Sequence, residues 1–267
     1  MNFSFFKKTL QDYKWTTVWY SVMIILYGVM MVAFFPSIRD QQEELKKLIE
    51  VYPPSLAEAF GMSAETFGTI EGFLSVEYFS FIWVIIIAIL IFSLGASQVA
   101  GEIDKKTSEF AFTLPIRRKK IVLEKFAASF LIILFVIFVT IVSTIIGIYA
   151  IKETPNLKGF LAFGVVASVL SFFLLSFTTL LSAMFSNKGR VYAVCGGFFT
   201  LSYLVHVLAG INEKVKDFYF LSFLKYYGSP EDILANASID IKDVLVLLGM
   251  GMIFLIISLV VIEERDL

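Results

Sequence analysis

Six stretches of this chain are each long and apolar enough to cross a bilayer as a helix: about 17–35, 78–99, 126–151, 160–185, 191–210 and 244–262. A hydrocarbon core about 30 Å thick needs about 20 apolar residues at a helical rise of about 1.5 Å each. Backbone polar groups in lipid must be satisfied within the segment itself, and runs of this length do that as helices. The expected fold is an all-α polytopic membrane protein with six transmembrane helices in a single domain, 1–267. Composition agrees: 58% of residues are hydrophobic, against about 45–50% in soluble domains, and mean hydropathy is +0.83. Pro36 is expected to stop the first run. Trp15, Trp19, Tyr20, Tyr78, Trp83 and Tyr149 lie near run ends, where amphipathic rings favour the headgroup level.

Six spans put both termini on one side. That side carries 13 Lys and Arg in 52 positions, the other 9 in 81. The denser side is expected to be cytoplasmic, so both termini are read as inside, in the cytoplasmic (inner) membrane. The first 16 residues lack the apolar core and cleavage site of a secretory signal, and the first span is expected to be retained. Residues 2–14 place Phe3, Phe6, Leu10 and Tyr13 on one helix face and Lys7, Lys8 and Lys14 on the other. This pattern suits a helix lying in the membrane interface, or a plain helical lead-in to the first span. Segments 36–76 and 211–242 are the long extracellular ones. The second holds Phe218, Tyr219, Phe220, Phe223, Tyr226 and Tyr227, and is expected to pack against the outer end of the bundle.

The spans carry almost no ionisable groups. Glu77 sits at an outer edge and His206 toward the outer end of the fifth span. Intramembrane charges mark ion and proton pathways, so their scarcity argues against a proton- or sodium-coupled pump and against an intramembrane protease. His206 is either a relay or a hydrogen-bonded packing residue. No phosphate-binding GxxxxGK[ST] loop is present, and no His/Cys/Asp set has metal-ligand spacing. The chain is therefore read as no enzyme and as holding no cofactor. A net charge of −1 points away from nucleic acid. Cys195 is the one cysteine, which excludes an internal disulfide. If this protein drives uphill movement, a partner supplies the energy.

Residues 100–125, AGEIDKKTSEFAFTLPIRRKKIVLEK, lie between the second and third runs and hold seven of the 22 Lys and Arg residues. Arg117, Arg118, Lys119 and Lys120, like Lys7, Lys8 and Lys14, are read as anchors to lipid phosphates. Ile103, Thr107, Phe110 and Leu114 follow helical spacing, with Phe112 to one side. Burying each apolar side chain is worth about 1.5–3 kcal/mol, so this face calls for a cover, either the membrane surface or another protein. Pro115 ends the helix. Glu102 and Asp104 sit at its start, where acidic groups favour the helix N-terminus and can meet basic groups on a partner. Ser93, Ser97 and Gln98 either line a path or bond to neighbouring backbone. Gly147, Gly196, Gly197, Gly249 and Gly251 are either close-approach points between helices or ordinary membrane-helix glycines.

The segment GEIDKKTSEFAFTLPIRRKKIVLEK, with its Gly-Glu start and its Leu-Pro-Ile-Arg turn, resembles the segment between spans two and three of ABC-2 type exporter permeases. The ending VIEERDL and the AFGM…IEGFL stretch are also similar to that family. The resemblance implies a coupling helix at about 103–114 that docks an ABC ATPase subunit through Glu102, Ile103, Asp104, Thr107, Phe110, Phe112 and Leu114. It implies a homo- or heterodimer of permeases with two ATPase copies, ATP and Mg being held by the ATPases. It also implies the interfacial connecting helix at 2–14. Members that resemble this chain export peptides, antibiotics, sodium or lipid-linked polymers. The uncharged, aromatic spans suit an amphipathic or hydrophobic cargo, as in phenol-soluble-modulin exporter permeases. Two other readings stand beside this one: a membrane scaffold or sensor that recruits a cytosolic partner without transport, and an autonomous transporter or channel.

Overall fold

A computed structural model describes residues 4–41, 44, 68–104 and 117–265. All its described elements are helical. A short amphipathic helix, α1 (Ser4–Asp12), precedes α2 (Lys14–Asp40), and the two are separated at Tyr13. Next come α3 (Ile70–Leu74, extended by a π turn at Ser75–Phe79), α4 (Ile82–Ala96) and the short α5 (Ala100–Asp104). The long helices α6 (Arg118–Ala150), α7 (Leu157–Met184) and α8 (Lys188–Ile211) follow. Short helical pieces α9 (Glu213–Lys216), α10 (Phe223–Tyr227) and α11 (Pro230–Asn236) lead to α12 (Ile241–Glu264).

Five of these helices are long and apolar enough to span a membrane. The pair Ile70–Phe79 and Ile82–Ala96, bent by 43°, makes a sixth if it counts as one span. The second span is thus broken, where an unbroken helix over 78–99 was expected. The break starts at the π turn, in which the Ser80 N–H reaches back five residues to the Ser75 carbonyl at 2.8 Å. π turns inside helices shift side chains off the regular register. Here the shift turns Tyr78 and Trp83 inward, and both are fully buried. Trp83 donates to Thr140 (3.2 Å) and Tyr78 to the Ile24 carbonyl (3.4 Å), so each ring meets its polar requirement inside the bundle. Trp15, Trp19 and Tyr149 are exposed near helix ends.

Pro36 does not end the first span. The helix runs through it to Asp40, although proline removes one helical hydrogen bond. Beyond it Arg39 pairs with Glu153 at 2.5 Å, which ties the last turn to the α6–α7 connection.

The centre of the bundle is α7, of whose most apolar window 67% is buried. It packs on α12, α4 and α6. Apolarity around the whole circumference makes such burial possible. Two of its threonine hydroxyls turn onto its own carbonyls, Thr178 to Leu174 and Thr179 to Leu175, both at 2.7 Å. Gly251 of α12 faces the backbone of Phe173, where an added Cβ would come within 3.2 Å of its Cα. Small residues let membrane helices approach this closely. Gly196, Gly197 and Gly249 face open space. At the end of the bundle remote from α1, Tyr227 donates to the Phe79 carbonyl (3.1 Å) and Phe223 is buried. Phe218 and Phe220 stay more than half exposed, so only part of that aromatic segment packs inward. His206 meets the Tyr219 hydroxyl at 3.0 Å, the hydrogen-bonded packing arrangement.

Candidate functional site

Several elements meet at the end of the bundle that carries α1, the basic end. There the second span leaves its helix at Ser97 and resumes as α5 at Ala100. The backbone donors freed by this break need partners. Ser182 of α7 supplies them: its Oγ accepts from Val99 N (3.2 Å) and Ala100 N (3.0 Å) and lies 3.1 Å from the Ala96 carbonyl. One serine therefore fixes the direction in which the chain enters residues 100–104.

Three further contacts hold α5. Lys125 of α6, 7% exposed, extends its Nζ to Glu102 Oε1 at 2.6 Å and to the Gln98 carbonyl at 3.1 Å. Asp104 accepts from Asn187 Nδ2 (3.1 Å) and from the Lys188 N–H (3.3 Å), at the start of α8. Ile103 packs on a small cluster of Val99, Ile121, Val122 and Ile262. Glu102, Ile103 and Asp104 thus sit on a base built from α5, α6, α8 and α12. Thr107, Phe110, Phe112 and Leu114 lie outside the described residues, as does most of the 103–114 helix.

The amphipathic helix α1 joins the same assembly. It packs on α6, and the Phe5 N–H donates to Glu124 Oε2 at 3.2 Å. Thr9 is its buried residue, and Phe5 and Tyr13 flank it at helical spacing. The face turned to the protein adds Phe5 and Thr9 to the expected stripe, of which Leu10 and Tyr13 pack against the core and Phe3 lies outside the described residues. Phe6 and Leu10 are half-buried. Burial holds the Tyr13 phenol above its ordinary pKa.

Of the expected lipid anchors, Lys7, Lys8 and Lys14 are exposed, as is Arg117. Lys14 lies over the Trp15 ring at 5.8 Å. Arg118 donates to the Arg265 carbonyl, Lys119 pairs with Glu263 (2.6 Å) and Lys120 with Glu124 (3.9 Å). These three face protein partners. Arg265 itself donates to the Ala183 and Phe185 carbonyls and to Ser186 Oγ (2.6 Å). It caps the end of α7, where the last carbonyls of a helix lack intrahelical donors. Neither Arg265 nor Lys125 stands out in the sequence as a site residue. The signal for Lys125 is a lysine directly abutting an apolar run, which finds its acid on the preceding helix.

Among the expected path residues, Ser97 bonds the Ser93 carbonyl (2.8 Å) and Gln98 is buried against Thr179 (3.1 Å). Ser97 and Gln98, with Leu94, line a half-open cavity of about 430 Å³ between α1, α4, α5, α6 and the start of α8. Its other walls include Lys8, Asp12, Tyr13, Glu102, Lys125, Ser129 and Lys188. Among the described residues no group of acids, His and Cys could hold a metal ion.

The chain matches no curated protein and no solved structure. Its residues 6–267 match the family model described as ABC-2 family transporter protein. A bundle of five or six membrane-spanning helices accords with that match over nearly the whole chain, and the chain belongs to the ABC-2 transporter family, as a permease subunit that works with an ABC ATPase.

Proposed function

We propose that this permease exports an amphipathic or hydrophobic substrate, a peptide, antibiotic or lipid-like molecule, using ATP hydrolysed in a separate subunit. The basic end is read as cytoplasmic, with both termini inside. The ATPase would dock on the segment that α5 begins, over residues 102–114. One observation carries this reading. The start of that segment is fastened at three points to three different helices: Ser182 of α7, Lys125 of α6 and the α7–α8 corner at Asn187. A segment held this way moves with the spans, so a push on it from a soluble motor reaches the bundle. The working unit would be a homo- or heterodimer of permeases with two ATPases. Exposed apolar residues on α2 and α8, such as Leu26, Leu201 and Leu204, are available for lipid or a second permease. The uncharged spans support an amphipathic rather than an ionic cargo.

The test is a pull-down of the tagged, detergent-solubilised permease from its native membrane, followed by an ATPase assay. The wild-type chain should bring down a nucleotide-binding protein that hydrolyses ATP. Phe110→Asp should lose that partner and retain the thermal stability of the bundle. Association that survives Phe110→Asp would overturn the docking assignment. A complex whose ATPase activity never responds to any amphipathic peptide or drug would favour a scaffold instead.

A further inference from the structure

The cavity at the basic end has an unusual lining for a site beside membrane spans. Cations and anions share it: Lys8, Lys125 and Lys188 on one hand, Asp12 and Glu102 on the other. Lys125 is committed to Glu102. Lys8 lies near enough to Lys125 to repel it, and Asp12 near enough to attract it. Gln98 adds a second sign of an absent partner. It is 2% exposed, and its Nε2 has no hydrogen-bond partner among the described residues. The Thr179 hydroxyl that meets the amide already donates to the Leu175 carbonyl. Either orientation of the amide therefore leaves one end unmatched, which is costly for a buried group. Ser129 Oγ, on the α6 wall of the same cavity, is likewise unpartnered among the described residues.

We infer that this cavity takes the zwitterionic headgroup of a phospholipid from the adjoining leaflet, with the phosphodiester toward Lys8 and Lys125 and the ammonium toward Asp12. Three features select this occupant. The volume, about 430 Å³, is many times the roughly 30 Å³ share of one water. The wall includes an amphipathic helix of the kind that lies at the headgroup level, and Phe5 and Leu94 give it an apolar edge. A free phosphate would meet Asp12 and Glu102 as like charges, whereas a zwitterion offers each wall its counter-charge. The inference does not depend on what the permease exports or on its ATPase, because it concerns the resting chain in its membrane.

The test reads lipid directly. The full chain is placed in nanodiscs of equal phosphatidylethanolamine and phosphatidylglycerol, extracted into mild detergent, and the retained lipid identified by native mass spectrometry. Wild type should keep one phosphatidylethanolamine per chain in preference to phosphatidylglycerol. Lys8→Ala, at an exposed position, should lower retention about tenfold, the loss expected for one charge-assisted hydrogen bond. Asp12→Asn should abolish the preference between the two lipids. Ser129→Leu, which fills the cavity from α6, should expel the lipid, and Lys7→Ala, outside the lining, should not. A preference for phosphatidylglycerol, or equal retention by Lys7→Ala and Lys8→Ala, overturns the assignment. Displacement of the lipid by millimolar inorganic phosphate overturns it too, in favour of a free anion.

Discussion

Lys125 and Glu102 form the most consequential pair of side chains at the basic end, and the two are not equivalent. The Lys125 side chain is 9% exposed, while the Glu102 side chain keeps 23% of its surface. Removing one partner of a buried ion pair leaves the other charge uncompensated, at about 3–5 kcal/mol. Glu102→Leu strands the deeper charge, with the Gln98 carbonyl as its remaining close acceptor, and should approach that range. Lys125→Met leaves a carboxylate that can turn to water, and should destabilise by about 1–2 kcal/mol. The double variant should recover most of the difference. Thermal unfolding of the four proteins in one detergent gives the cycle, and losses that simply add in the double variant would show that Lys125 is not held by Glu102. The sequence showed Glu102 as a partner-facing acid because acids near a helix start so often serve outward. Its use as an internal counter-ion depends on the α5–α6 packing, which no local pattern encodes.

At the scale of elements, helix existence was legible and helix shape was not. The apolar runs located every long helix because twenty apolar residues in lipid have few alternatives. The second break, between Ala96 and Ala100 at the other end of that span, was hidden, since ILIFSLGASQVAGEID carries no proline and its Ser-Gly content suits an unbroken helix too. Ser182, a residue 82 positions from Ala100, stabilises the break. Pro36 misled in the opposite direction: its lost hydrogen bond is a local penalty, and the Arg39–Glu153 contact beyond it favours continuation. The cap at the end remote from α1 offers a sharp test of packing between elements. Gly159, in the first turn of α7, lies under α11 so closely that an added Cβ would stand 1.9 Å from the Leu234 carbonyl oxygen. Backbone cannot yield there as a side chain would, and Asn156 Nδ2 ties the same strip through Leu234 O (2.9 Å) and Ala235 O (2.7 Å). Gly159→Ala should therefore destabilise by about 1–3 kcal/mol and expose residues 211–240 to faster proteolysis. Gly101→Ala is the matched control. Its Cβ would meet Lys188 Cε at 2.3 Å, but that is the far end of a flexible chain, and stability should stay within about 0.5 kcal/mol of wild type. Limited proteolysis and melting curves separate the two, and a silent Gly159→Ala would mean that α11 does not sit on α7.

For the whole molecule, the number of spans and their sidedness stand or fall together. An even number of spans puts both termini on one side, and the basic residues concentrate there, 13 in 52 positions against 9 in 81. The bias is modest, and several of its members have internal duties: Lys125, Lys119 and Arg265 are all engaged with the protein. Orientation by positive charge depends on residues near the span ends during insertion, when those partners have not yet formed, so the count retains its meaning. Cysteine labelling tests the result with little background, because Cys195 is fully buried. Gln11→Cys lies on α1 at the basic end, and Ser238→Cys lies in the turn between α11 and α12; both positions are exposed. A membrane-impermeant maleimide should label Ser238→Cys in intact spheroplasts and leave Gln11→Cys unmodified. Inverted vesicles should give the reverse. If one face of the membrane labelled both, an odd number of spans would follow, and the bent Ile70–Ala96 pair would enter and leave on the same side. If the two sites exchanged places, the basic end would face outward, and residues 102–114 could not meet a cytosolic ATPase. Labelling as expected places the broken second span across the bilayer, with α5 emerging where a soluble motor can reach it.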